Sequence, residues 1–116
     1  MSPKTPYYAV IFTARRTTEE DELYESTGKN IFELALKQPG FLGYEGAGGS
    51  DRQEITVTYW DSLENIKRWK MNADHVVAQK MGRDKFYEEY HVRVTKVERE
   101  YHWTKANSQV GDEKET

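Results

Sequence analysis

An α+β domain with element order βαββαβ is the fold this sequence predicts, and three features predict it. An apolar helix runs to Gln38 and is stopped by Pro39-Gly40, because proline cannot continue a helix and glycine accepts the turn that follows. The stretch Ile55-Thr56-Val57-Thr58-Tyr59-Trp60 then alternates β-branched and aromatic residues between two faces, the period of a strand. Asp61-Ser62 next opens a second helix carrying Asn65, Trp69 and His75. Helix, turn, two strands and helix form the middle of a ferredoxin-like split βαβ unit, a four-stranded antiparallel sheet with both helices on one face.

The first strand is read at Tyr7 to Arg15, with Tyr8, Val10 and Phe12 on one face and Tyr7, Ala9, Ile11 and Thr13 on the other. Thr17 with Glu20, or Thr18 with Asp21, offers a capping box into an acidic first turn. Leu23, Thr27, Ile31 and Leu34 recur at helical spacing from there, with Gly28 a weak point. Phe41 to Ala47 is the second strand, and Gly48-Gly49-Ser50-Asp51 turns into the third.

Asp61 with Glu64 is the expected cap of the second helix, whose stripe is Leu63, Ile66, Trp69 and Ala73. A break is expected at Asn72-Ala73-Asp74, with a shorter helix through Met81 and Gly82 as its stop. Phe86 and Tyr87 anchor a loop or helical turn. The last strand is read at His91 to Tyr101, and a change of apolar parity predicts a bulge near Thr95-Lys96.

At 116 residues the chain is one domain, expected at 7–103 between a flexible start at 1–6 and a disordered polar tail at 104–116. A net charge of −3 leaves no basic stripe, which argues against nucleic acid or an anionic membrane as partner. No cysteine is present, so disulfide, thiolate and cysteine–zinc chemistry are excluded. No apolar run approaches the ~18 residues of a membrane span, and a soluble cytoplasmic protein is the expectation.

Two helices cover one face of such a sheet, yet the first and third strands are apolar on both. Leaving the second face bare would expose more apolar surface than the few hundred Å² monomers tolerate. A twofold homodimer, sheet on sheet, is therefore expected, with the last strand and its extension crossing to the partner.

Asn65 and Trp69 stand at i, i+4 on one helix face, and His75 follows six residues later. An indole supplies a flat platform with one donor, a carboxamide both donates and accepts, and an imidazole titrates near neutrality. Each has an ordinary explanation: Trp69 as core packing, Asn65 as a solvated helix residue, His75 as a surface histidine. What joins them is a shared apolar face beside a sheet, where clefts form. His75, His91 and His102 lack metal-ligand spacing, and no glycine-rich phosphate loop or serine nucleophile motif is found, so no metal, flavin or nicotinamide site is expected.

The segments Gln38-Pro39-Gly40-Phe41-Leu42-Gly43, Val57-Thr58-Tyr59-Trp60-Asp61-Ser62 and Ile66-Lys67-Arg68-Trp69 resemble the antibiotic biosynthesis monooxygenase superfamily, over Tyr7 to Trp103. The resemblance implies a dimeric α+β barrel of ferredoxin-like subunits. Its cofactor-free members oxidise polycyclic aromatic polyketides in a pocket lined by an Asn, a Trp four residues on and a Tyr six beyond. Asn65 and Trp69 match the first two, and His75 stands where the Tyr would be. The haem-degrading branch has its axial His ten residues past the Trp, where this chain has Gln79, a poor iron ligand. The expectation is thus a cofactor-independent oxygenase acting on a small aromatic molecule. A noncatalytic dimeric binding or structural domain and, behind it, a haem protein are the alternatives.

Overall fold

The computed structural model describes residues 4–19, 21–49, 51–79 and 83–105, with the side chains of 75, 77–79, 83 and 84 outside the description. Most of the expected tail, and the expected helix stop at Met81-Gly82, lie outside the described residues. The elements are β1 (Tyr7–Arg16), α1 (Asp21–Lys37), β2 (Phe41–Gly48), β3 (Gln53–Trp60), α2 (Leu63–Gln79), α3 (Arg83–Phe86) and β4 (Tyr87–Val97). The strands form one sheet in the order β2-β3-β1-β4, each neighbouring pair antiparallel. This is the ferredoxin-like α+β arrangement.

Register decides which residues share a face. Tyr8 lies opposite Trp60, Val10 opposite Thr58 and Phe12 opposite Thr56, while Val10 and Phe12 meet Val94 and Val92 on the other side. The helices cover this face. Ala35 of α1 and Ile66 of α2 are buried with Val10 and Trp60, and Tyr8, Phe41 and Trp69 pack around them. Trp60 is fully buried, its indole N–H donating to Thr58 Oγ1 at 2.8 Å. The opposite face carries Tyr7, whose ring meets Tyr59 edge-on at 5.8 Å, and Ile55, which is about half exposed at 49%.

Local chemistry sets the element ends. The turn after α1 needs glycine at 40 for two reasons. Its φ is +83°, and a Cβ there would overlap the Asp61 carboxylate and the Asn65 carboxamide. At the start of α2 the cap is Ser62, whose hydroxyl accepts the Asn65 backbone N–H at 3.2 Å. Asp61, the expected cap, instead accepts from the Asn65 side chain at 2.9 Å. Gly28 leaves α1 unbroken.

Two expectations are corrected. Helix α2 runs without interruption through Asn72-Ala73-Asp74, so His75 lies within a continuous helix. A 2.7 Å ion pair from Lys70 to Asp74, one turn apart, bridges the expected break. The last strand is Tyr87–Val97, and it pairs with β1 in unbroken register past Thr95 and Lys96. The register shift falls at Arg15/Arg16, where the helical turn α3 feeds directly into β4. As an edge strand largely exposed on both faces, β4 has no apolar parity that must be kept. No described helix is long and apolar enough to cross a membrane.

Candidate active site

Between the helix-covered face and the two helices lies a cavity of about 260 Å³, open to solvent at one side. Val10 and Thr58 form part of its floor, Ile31 and Ala35 of α1 one wall, and Ile66 and Trp69 of α2 the other. Gly28 stands on the α1 wall, and a Cβ placed there meets nothing within 4 Å. Lys70 and Asp74, paired with each other, bring charge to the α2 side.

Trp69 is half-buried and leans on Trp60. Its indole N–H is buried with no acceptor among the described residues. An unmade hydrogen bond of this kind costs about 1–3 kcal/mol.

At the β4 end the lining becomes phenolic. Tyr90 stacks on Phe12 at 5.6 Å, and Tyr87 meets Phe12 edge-on at the same separation. Behind Tyr87 stands Tyr24 of α1, ring to ring at 5.8 Å, whose hydroxyl donates to the Glu54 carboxylate. Arg16 lies 3.5 Å over the Tyr24 ring and pairs with Asp21, as does Arg52. Burial is the main cause that pushes the Tyr24 phenol far above its ordinary value, helped by Tyr87 and Glu54. Tyr87 is pushed up as well, chiefly by burial. Both phenols therefore hold their protons at neutral pH.

No family model matches the chain. In its fold the chain is similar to the solved structure of SnoaB, a cofactor-independent oxygenase from Streptomyces nogalater studied as a mutant. The TM-score is 0.62 at 11% identity, over 77% of this chain and 90% of that one. In sequence it is 28% identical over 92 residues to the jasmonate monooxygenase ABM of Pyricularia oryzae, which covers 78% of this chain but 43% of that protein. It is 44% identical over 99 residues to the uncharacterized protein YqjZ of Bacillus subtilis, covering 85% of this chain and 86% of YqjZ. The chain belongs to the antibiotic biosynthesis monooxygenase superfamily.

In this member of the superfamily the residues singled out from the sequence stand in different settings. Trp69 lines the cavity. Asn65 sits one turn earlier, its carboxamide bound to Asp61 beside Gly40, and it is not among the described lining residues. His75 lies in α2, and its side chain is outside the description. Among the described residues no cluster of three or more metal-ligand side chains occurs. Sequence reasoning missed Tyr24, Glu54 and Tyr87. One signal was available: Glu54 shares its strand parity with Thr56, Thr58 and Trp60, which makes it a charged residue facing the helices.

Proposed function

We propose that the chain is a cofactor-independent monooxygenase that oxidises a small aromatic molecule of quinol or polyketide type, working in the cytoplasm as a homodimer. Residues 7–103 are the unit that carries this activity. The observation that carries the reading is the apolar cavity beside Trp69, whose buried indole N–H has no acceptor among the described residues. The alternative in which Trp69 is sealed core has no such cavity. Support also comes from two relatives, one named a jasmonate monooxygenase and one a cofactor-independent oxygenase.

The chemistry asks little of the protein beyond binding and proton handling. Triplet dioxygen reacts slowly with closed-shell molecules, but a phenolate or enolate can give it one electron. The substrate ring lies against Trp69, and a substrate oxygen accepts the indole N–H. Asn65 exchanges its bond to Asp61 for the substrate oxygen, and His75 takes the proton. Recombination of the radical pair and loss of water complete the turnover; anthrone and one O₂ give anthraquinone and one H₂O.

Purified protein supplied with anthrone is expected to consume oxygen. Trp69→Ala and His75→Ala are expected to suppress it at least tenfold, and Asn65→Ala to raise KM. Equal rates in the parent and in both the Trp69 and His75 variants would refute the assignment.

A further inference from the structure

At the Trp60 end of the cavity two polar hydrogens are left unspent. Thr58 of β3 is buried, belongs to the cavity lining, and lies in register between Val10 of β1 and Tyr44 of β2. Its hydroxyl oxygen accepts the Trp60 indole N–H at 2.8 Å, while its hydroxyl hydrogen donates to nothing among the described residues. A hydroxyl rotates about its C–O bond, so that hydrogen is free to turn to an acceptor in the space Thr58 lines. Trp69 repeats the situation, its buried N–H having no acceptor among the described residues. One indole joins the two, because Trp60 reaches Thr58 with its N–H and meets the Trp69 ring at 5.3 Å.

We propose that Thr58 is a second donor of this site, and that its O–H joins the Trp69 N–H in holding one oxygen of an aromatic ligand. The ligand class is a ring system with a carbonyl, phenolate or enolate oxygen at the Trp60 end and apolar surface elsewhere. This deepens the oxygenase reading, and rests on it for the cavity as the place where substrate binds. Packing explains only half of what Thr58 offers. The fold needs an acceptor for Trp60, which the hydroxyl oxygen supplies. A buried donor left unmade is a cost that this role does not require, and a ligand oxygen meets it.

The surroundings sharpen the preference. Val10, Ala35 and Ile66 of the same lining are buried in the apolar cluster around Trp60, so the two donors are the polar features of this end. Lys70 and Asp74, the charged groups of the described lining, answer each other at 2.7 Å. Hydrogen bonds to an ionised oxygen are roughly twice as strong as those to a neutral one, and more so where water is excluded. Two donors on one oxygen therefore favour a phenolate or enolate over its neutral parent, and that anion is the form from which dioxygen takes an electron.

Binding of 9-fluorenone and fluorene, the same rings with and without a carbonyl, tests this without turnover. By calorimetric titration, Thr58→Val should lower the preference for fluorenone over fluorene about fivefold, the worth of one hydrogen bond. Thr58→Ser keeps the hydroxyl and should hold the parent preference within about twofold. The infrared carbonyl band of bound fluorenone gives a second readout. In the parent it should lie below its frequency in cyclohexane, and Thr58→Val and Trp69→Phe should each return it part of the way. Thr58→Val also orphans the Trp60 N–H, so Thr58→Val/Trp60→Phe, which removes both ends of that bond, should show the same loss of preference and the same band shift. A parent that does not bind fluorenone, a parent band at the cyclohexane position, a preference and band unchanged when the Thr58 hydroxyl is removed, or a preference lost in Thr58→Ser overturns the proposal. No outcome involves oxygen, so the oxygenase reading stands or falls separately on oxygen uptake with anthrone.

Discussion

The indole of Trp69 leans on that of Trp60 with ring centroids 5.3 Å apart and planes tilted by 37°. The two differ in one respect that separates scaffold from site. The Trp60 N–H is spent on Thr58, whereas the Trp69 N–H has no acceptor among the described residues. Trp60→Phe should therefore destabilise the fold by about 2–3 kcal/mol, from a void and an orphaned hydroxyl. Trp69→Phe keeps the platform and removes an unsatisfied donor, so it should cost less than about 1 kcal/mol. Urea unfolding of the two variants measures the difference.

Two glycines make an opposed pair. Gly40→Ala meets both a positive φ and the Asp61–Asn65 contact, and should destabilise by about 2 kcal/mol or more. Gly28→Ala has open space and an ordinary helical backbone, and should stabilise by about 0.5–1 kcal/mol. Thermal melting of both variants checks the signs.

Why the fold was legible and the site only partly so comes down to which signals are local. Pro39-Gly40 and the alternation of Ile55 to Trp60 act within a few residues, and both are found where the sequence places them. Asn72-Ala73-Asp74 looked like a helix end because Asn and Asp favour caps, but the Lys70–Asp74 pair lies on the helix surface and carries it through. The spacing of Asn65 and Trp69 predicts a shared helix face, and of the two Trp69 alone is among the described lining residues of the cavity. The same spacing joins Asn65 to Asp61, and the sequence alone does not rank the two. Tyr24 and Tyr87 are 63 residues apart and meet only because β4 returns beside β1.

Alkaline pH offers a test on the other face of the sheet. Tyr7 is pushed up to about 12, mainly by burial and then by Glu100. Tyr59 is pushed up to about 12 by its hydrogen bond to Glu45, with burial second. A phenol that holds its proton more tightly folded than unfolded stabilises the fold fully below pH about 10, and the contribution is lost as pH rises through about 12. Stability should fall across that window. Ultraviolet titration of tyrosinate should show a late-ionising fraction that Tyr59→Phe reduces.

The proposed homodimer is a mass measurement. Sedimentation equilibrium at micromolar concentration should give twice the 13.6 kDa of one chain. Ile55→Lys, on the face away from the helices where Ile55 is exposed, should shift the mass toward one chain. A single-chain mass for the parent contradicts the sheet-on-sheet pairing.

Oxygen uptake with anthrone by Gly28→Leu tests the central claim most directly, because leucine is a good helix former and position 28 lies on the cavity wall with open space in front of it. The variant should melt at or above the parent temperature and consume oxygen at least tenfold more slowly. A folded Gly28→Leu protein that oxidises anthrone at the parent rate would show that the chemistry does not take place in this cavity.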